Sequence, residues 1–252
     1  MEKKNKKLLT IITVVKNDVL NIEKTIKSII TQKNRNIEYI IIDGNSKDGT
    51  INKIKKYKKS IDKISAKNDK GIYDAMNKGI KLAKGKYLGF CNSGDIIRKN
   101  GIKLILKKLD KDTDVLFATV KRHYLGKTII KSGFNLKRLN YNFDFATSHS
   151  SGFFIKKDFH NQIGLYDLQF KCSADYDFYL RLFKLKNLRV SATNKNEITG
   201  EVKSGGFSST LSPIQHLNEE TRIRFKNNQN IFLIFFIYIN ALIKILIKKI
   251  LR

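Results

Sequence analysis

Leu8-Leu9-Thr10-Ile11-Ile12-Thr13-Val14-Val15-Lys16-Asn17 opens the first regular stretch of the chain. Residues 8–15 are apolar or β-branched without alternation. Such a run suits a strand buried on both faces, and strands of that kind build parallel sheets covered by helices. Downstream, Ile22, Ile26, Ile29 and Ile30 recur at helical spacing. Residues 38–43 form a second buried strand, which ends in Asp43-Gly44-Asn45-Ser46. A helix carrying Ile51, Ile54 and Tyr57 follows, then a short strand over 61–66. Ile72, Ala75, Met76, Gly79, Ile80 and Ala83 share one helical face, and Gly85 is placed to close that helix at C′. Residues 87–91 are a fourth strand, running into Asn92-Ser93-Gly94-Asp95. The order βαβαβαβ predicts an α/β fold with a mostly parallel central sheet and right-handed crossovers.

The second half is less regular. Residues 114–120 and 127–131 read as strands, and a strand over 152–155 follows His149-Ser150-Ser151. A helix is expected over 175–185, a flexible loop at 204–209, and a helix from Pro213 to about Asn227, with proline in its first turn. There is no internal repeat and no clear linker. The expected organisation is one domain over 1–228, with a nucleotide-binding half at about 7–96 and an acceptor half at about 97–228, plus a C-terminal helix over 229–252.

The chain has 50 Lys and Arg against 22 Asp and Glu, a formal charge of +28 over 252 residues. Hydrophobic residues make up 41%, enough for a core, which excludes a wholly disordered basic tail protein. Lys, Ile and Asn are overused throughout, so part of the excess charge is a solvated surface reflecting compositional bias. The remainder gives a field that attracts phosphates. The two cysteines, Cys91 and Cys172, are too few for a disulfide scaffold or a four-cysteine zinc site and point to a reducing cytosol. No signal-peptide pattern is read near the first strand.

In an open parallel sheet, ligands bind at the carboxyl ends of the strands. Polar groups gather there: Thr13 to Asn17 after the first strand, Asp43 after the second, Asp69 and Lys70 after the third, Asn92 and Asp95 after the fourth. Turn formation alone explains Asp, Asn and Gly at single strand ends. Four consecutive strand ends with acidic or amide groups point beyond turns to a ligand. Neither a G-x-G-x-x-G nor a Walker phosphate loop is present, which argues against a dinucleotide or P-loop site.

Four motifs in order carry a resemblance: residues 8–17, then Ile42-Asp43-Gly44-Asn45-Ser46-Lys47-Asp48-Gly49-Thr50, then Asp69-Lys70-Gly71-Ile72-Tyr73-Asp74-Ala75-Met76-Asn77-Lys78-Gly79, then Asn92-Ser93-Gly94-Asp95. Together they resemble glycosyltransferase family 2 with the GT-A fold. Ala174-Asp175-Tyr176-Asp177-Phe178-Tyr179-Leu180-Arg181 resembles the acidic motif carrying that family's catalytic base. Gly205-Gly206-Phe207-Ser208 resembles the Gly-Gly-x-Ser loop of bacterial members that build surface polysaccharides.

The resemblance implies an inverting transfer from a nucleoside-diphosphate sugar, foremost a UDP-sugar, to a hydroxyl of a glycan or lipid-linked acceptor. Surface polysaccharide of the O-antigen or capsule type is the implied product. Thr13, Asn17 and Asp43 would line the nucleotide pocket. Asp69 and Lys70 would meet the ribose or donor sugar, with Asp74 and Asn77 on one face of the following helix and Asn92 nearby. His149 would stand near the diphosphate. Asp175 would be the general base, taking the acceptor proton as the diphosphate leaves. Asp177 is its competitor, but i and i+2 face apart on a helix, and Arg181 at i+4 offers Asp177 an ordinary ion pair. The family's metal motif has three acids where this chain has Asn92, Gly94 and Asp95. Asp95 is therefore the implied ligand of a divalent metal, Mg²⁺ or Mn²⁺, shared with diphosphate oxygens.

Two rival readings stand beside this one. A nucleic-acid-binding protein is suggested only by the charge, and no basic helix or aromatic RNA-binding motif supports it. An inactive scaffold of the same fold is suggested by the missing acids at positions 92 and 94. No nucleic-acid partner is expected. The tail, 231–252, is apolar all round up to Ile239. Thereafter Asn240, Lys244, Lys248 and Arg252 form one polar stripe. As a helix it would reach about 33 Å, but Lys244 breaks the apolar span short of the ~18 residues of a crossing helix. The expectation is a helix lying on an anionic membrane surface, holding the protein peripherally at the cytoplasmic face.

Overall fold

The computed structural model describes residues 7–109, 112–124, 126–141, 145–147, 150–203, 205–206 and 211–250. The chain begins as expected: β1 (Leu9–Val15), α1 (Ile22–Ile30), β2 (Ile37–Asp43), α2 (Thr50–Lys56), β3 (Lys63–Ala66), α3 (Ile72–Leu82) and β4 (Tyr87–Phe90). Then come β5 (Ile96–Ile97), α4 (Gly101–Leu109), β6 (Val115–Phe117), β7 (Thr119–Tyr124) and β8 (Lys127–Lys131). The last elements are β9 (Phe153–Lys156), α5 (Asp158–Ile163), α6 (Ala174–Leu182), β10 (Val190–Ala192), β11 (Ile198–Val202), α7 (Pro213–Lys226) and α8 (Ile231–Ile250).

The main sheet runs β10-β6-β9-β4-β1-β2-β3. All its pairings are parallel except those of β9, which is antiparallel to both β4 and β6. The residues of β1 are buried on both faces. Leu9, Ile11 and Val15 join the core under α1, α2 and α4, while Ile12 and Val14 join the core under α3 and α6. The period-2 side-chain alternation of a strand thus divides one unbroken apolar run between two cores. Gly79 lets α3 approach, because a Cβ there would stand 2.5 Å from Ile12 Cγ2.

The single strand expected over 114–120 divides at Ala118. β6 stays in the main sheet, and β7 joins a smaller sheet of order β5-β11-β7-β8. Gly85 does not cap α3 in a left-handed conformation. It lies against β1, where a Cβ would meet Thr10 N at 2.6 Å, and its N–H donates to Thr10 Oγ1.

The order of the main sheet fixes where a ligand can enter. The chain steps from β1 outward to β2 and β3, then returns to place β4 on the other side of β1. At that reversal the segments leaving the carboxyl ends of β1 and β4 diverge and open a crevice. Helix α8 folds back along α7. Ile234 is buried there, and Tyr238 donates to Asn218 Oδ1. Among the described residues no helix is long and apolar enough to cross a membrane.

Candidate active site

The crevice at the β1–β4 reversal is a cleft of about 680 Å³. Lys16, Asn17 and Asp18 line it after β1, and Asn92, Ser93, Gly94 and Asp95 line it after β4. The opposite wall comes from far along the chain: Tyr73 on α3, Asp175 on α6, and His216 and Glu220 on α7. Arg122 on β7 and Lys203 after β11 bring positive charge to it.

Of the expected residues, Asn17, Asn92, Asp95 and Asp175 line this cleft. Others organise its surroundings. Thr13 is wholly buried, donates to Cys91 O at 2.7 Å and shares a hydrogen bond with Tyr39 Oη, so its hydroxyl is used in the core beneath the cleft. Asp43 is also buried. It accepts from both the N–H and the Oγ–H of Ser46, and Ser46 Oγ in turn accepts from Asn17 N at 2.8 Å. The Asp43 carboxylate thereby braces the β2 turn against the segment after β1. Asn17 takes a left-handed conformation at φ 51°, one that asparagine tolerates better than most residues.

Asp69 packs under Gly44, where a Cβ would stand 2.1 Å from Asp69 Oδ2, and it faces Lys16 at 3.9 Å. Lys70 is exposed, and its N–H donates to Asp74 Oδ2. Asp74 also pairs with Lys78 at 2.9 Å, the arrangement of a first-turn acid on its own helix. Asn77 does not line the cleft. It donates to Tyr166 O at 2.8 Å and accepts from Tyr166 N at 3.0 Å, so both amide groups clamp one distant backbone unit. His149 lies outside the described residues, as do Phe207 and Ser208 of the glycine motif, while Gly205 and Gly206 line the cleft.

Asp175 and Asp177 separate as the helix geometry requires. Asp177 is fully buried and accepts from Arg181 Nε at 2.8 Å, Lys226 Nζ at 3.0 Å and Asn227 Nδ2 at 3.0 Å. Asp175 faces the cleft. Its Oδ1 accepts from Tyr176 N at 3.0 Å and from Tyr73 Oη at 3.1 Å, while the same phenol lies 2.6 Å from Cys172 O. Burial pushes the Asp175 carboxyl up to about 7, with the Tyr73 hydrogen bond pulling the other way. Burial also raises the Glu220 carboxyl above its ordinary range. A carboxylate poised near neutrality beside an open cleft suits a proton acceptor. The Cys172 thiol, 3.0 Å from His216 Nδ1, is pushed by burial up to about 12 and is therefore a neutral thiol at pH 7.

Asp95 is nearly buried. Its Oδ2 accepts from Ser151 Oγ at 2.6 Å and its Oδ1 from Lys203 N at 3.2 Å. Asp18 lines the same cleft, its Oδ2 accepting from Ser93 Oγ at 2.6 Å and its Oδ1 from Asn21 Nδ2. Among the described residues no three His, Cys, Asp or Glu side chains are grouped to hold a metal ion. Two carboxylates fit a divalent ion shared with a diphosphate and do not fit a site closed by protein ligands alone. Sequence reasoning passed over Asp18, Tyr73, Arg122, Lys203, His216 and Glu220. The four-residue spacing of His216 and Glu220 is a faint signal that both face one way.

The family model for glycosyl transferase family 2 matches residues 10–167. An uncharacterized glycosyltransferase of Rickettsia prowazekii is 28% identical over 192 residues, 72% of this chain and 60% of the relative. A PGL/p-HBAD biosynthesis glycosyltransferase of Mycobacterium bovis is 25% identical over 73% of this chain and 72% of its own length. Staphylococcus aureus TarS in complex with UDP-GlcNAc superposes with a TM-score of 0.71 at 20% identity, covering 89% of this chain and 68% of that one. The mannosyltransferase PcManGT of Pyrobaculum calidifontis, in complex with GDP-Man and Mn²⁺, superposes with a TM-score of 0.62 at 12% identity, covering 86% and 63%. These likenesses bear out the GT-A fold expected from the sequence.

Proposed function

Because the chain belongs to glycosyl transferase family 2, we propose that it moves a sugar, with inversion, from a nucleoside-diphosphate sugar to a hydroxyl of a glycan or lipid-linked acceptor. The observation that carries this reading is the Asp175 carboxylate lining the cleft formed at the β1–β4 reversal, its Oδ1 held by Tyr73 Oη and Tyr176 N. The nucleotide occupies the side of Asn17 and Asn92, and the acceptor enters beside Asp175, Glu220 and His216. Asp175 takes the proton of the attacking hydroxyl as the sugar–phosphate bond breaks. Arg122 and Lys203 offset the charge gathering on the diphosphate. Asp95, with Asp18 lining the same cleft, would hold a divalent ion, Mg²⁺ or Mn²⁺, which would supply further charge stabilisation to the diphosphate. Neighbours bound to UDP-GlcNAc and to GDP-Man with Mn²⁺ support a nucleotide-sugar donor, of which UDP-sugars are the first choice. The product is a surface polysaccharide of the O-antigen or capsule type.

The domain over 1–228 performs this transfer, and the C-terminal segment 229–252, which includes α8, rests on the cytoplasmic face of an anionic membrane, near a lipid-linked acceptor. The apolar residues that α8 leaves exposed support that placement. The test is a panel of UDP- and GDP-sugars with acceptor lipid, with and without Mn²⁺. Donor consumption that depends on Asp175 is the expected result. A purified, folded protein that neither binds nor consumes any nucleotide sugar would overturn the proposal.

A further inference from the structure

Helix α6 begins without a cap of its own. Ser173 occupies the N-cap position, and its side chain makes no capping hydrogen bond. The donors around that start are taken by a residue from another helix. Glu219 on α7 accepts from three successive backbone N–H groups: Lys171 N, Cys172 N at 2.9 Å and Ser173 N at 2.9 Å. Glu219 is itself buried. A carboxylate placed among three amide donors at a helix start is a strong local anchor. On the other side of the same turn, the Tyr73 phenol holds Cys172 O and Asp175 Oδ1. Residues 171–175 are thus gripped by side chains from α3 and α7, and neither grip is local in sequence.

We infer that Glu219 is a positioning residue, which sets the turn before α6 and through it the placement of the Asp175 carboxylate in the cleft. The inference rests on the reading of Asp175 as the base. It also ties two parts of the site together. The next residue, Glu220, and His216 one helical turn earlier both line the cleft. The helix that forms the acceptor wall is therefore the helix that anchors the base, so a shift of α7 moves both. Geometry of this kind matters because a displacement of about 1 Å at a reacting group costs up to about 100-fold in rate.

Three variants of the full chain test this: Glu219→Ala, Glu219→Gln and Asp175→Asn. The readouts are UDP binding by calorimetry, kcat and KM across the UDP- and GDP-sugar panel, the thermal midpoint, and ¹³C NMR titration of aspartate carboxyls. Asp175→Asn assigns the Asp175 signal. Glu219→Ala should bind UDP as the wild type does and lose up to about 100-fold in kcat with little change in donor KM. Its Asp175 signal should titrate below the wild-type value, because the loosened turn admits water. Glu219→Gln retains one acceptor oxygen for three donors and should fall between the two. It decides the matter if Glu219→Ala does not fold. Wild-type kcat and titration in a folded Glu219 variant would overturn the inference. So would a kcat loss matched by equal losses of UDP affinity and thermal midpoint, the pattern of a merely structural role. Transfer retained by Asp175→Asn would instead sink the base assignment, whatever the Glu219 variants do.

Discussion

The phenol of Tyr73 stands 3.1 Å from Oδ1 of Asp175, joining residues 102 positions apart. One proton serves two acceptors there, since Cys172 O lies closer at 2.6 Å. The carboxylate receives a weakened but directed donation, which favours its ionised form. The titratable groups around it are Tyr73, Tyr166, Tyr179, Cys172, His216 and Glu220. Burial raises Tyr73, Tyr166, Tyr179 and Cys172, so these four are neutral at pH 7, and Glu220 is the nearby acid that opposes ionisation of Asp175. Activity should therefore rise through about pH 7 as Asp175 loses its proton. Tyr73→Phe removes a donor to the charged form, so the rising limb should move to higher pH, and rate lost at pH 7 should return at about pH 8.5. A pH–kcat profile of the two proteins checks this. An unmoved limb would show that the phenol serves only Cys172 O.

The two aspartates of α6 should fail differently. Asp175→Asn should keep nucleotide binding and lose transfer. Its stability should change with a definite sign. The folded carboxyl is raised from its ordinary range to about 7, so the native chain binds more protons than the unfolded one between those values. Stability contributed by this group falls as pH rises through that window, by at most about 1.4 kcal/mol for each pH unit crossed. Asp175→Asn should then be more stable than the wild type at about pH 8 and nearly equal to it at about pH 4.

Asp177→Asn should unfold more easily than the wild type at about pH 7. The substitution leaves Arg181 and Lys226 without their buried partner. Lys226 keeps Asp167 at 2.6 Å and Arg181 keeps two backbone carbonyls, so the cost should be that of weakened hydrogen bonds to a buried charged group, about 1.5–3 kcal/mol. Urea unfolding followed by circular dichroism measures it. A midpoint equal to the wild type's would mean that Asp167, the backbone carbonyls on Arg181 and solvent satisfy the two cations at no cost.

The βα-repeating half of this fold is legible in the sequence because its elements leave different marks. β1 and β2 are buried at every position, while α1 and α3 are buried along one face only. β5, β10 and β11 have two, three and five residues, too few to show a period. The strand-end residues are legible for the same reason, since the parallel sheet itself puts Asn17, Asn92 and Asp95 at the crevice. What those side chains bond to is less so. Asn77 has the right spacing to share a face with Asp74, yet its partner is the backbone of Tyr166, 89 residues away. Glu219 looks like any helix-surface acid until the fold brings three amide groups to it. Contacts of that range have no local signature.

His160 should make the protein sensitive to acid at a site that does not itself line the cleft. Its ring is buried and stacks on Phe178 at 4.8 Å. Burial pushes it down to about 4 from its ordinary 6.5, so the unfolded chain binds more protons than the native chain between those values. Stability from this group is complete above pH 6.5 and is lost as pH falls through 4. His160→Phe keeps a stacked ring and removes the proton uptake, which is worth up to about 3 kcal/mol at the acid end. The thermal midpoints of the two proteins should be close at about pH 7.5 and separate at about pH 4.5, with the variant higher. Parallel pH curves would show that some other group sets the acid limit.

The outer face of α8 should carry the membrane contact. The helix is held to the body by Ile234, which is 2% exposed, and by Tyr238 through Asn218. Truncating the tail would strip that contact and confuse folding with anchoring. Phe232, Phe235, Phe236 and Ile239 point elsewhere, with Phe232 at 81% and Phe235 at 68% exposure. With Ile243 and Leu246 they make an apolar stripe along the helix, and exposed Lys244 lies off that stripe. On a bilayer the stripe would sink among the acyl chains, at roughly 0.8 kcal/mol per buried CH₂, and Lys244 would add about 1 kcal/mol near anionic lipid. Replacing Phe232, Phe235, Phe236 and Ile239 with serine should release the protein from phosphatidylglycerol vesicles in a sedimentation assay. The thermal midpoint and donor hydrolysis should stay near wild type, since none of the four is buried against α7. Ile234→Asp should do the reverse and lower the midpoint. If the serine variant still pellets with vesicles, the basic body rather than α8 makes the contact. If the serine variant unfolds instead, the stripe is packed against protein and the anchoring role fails.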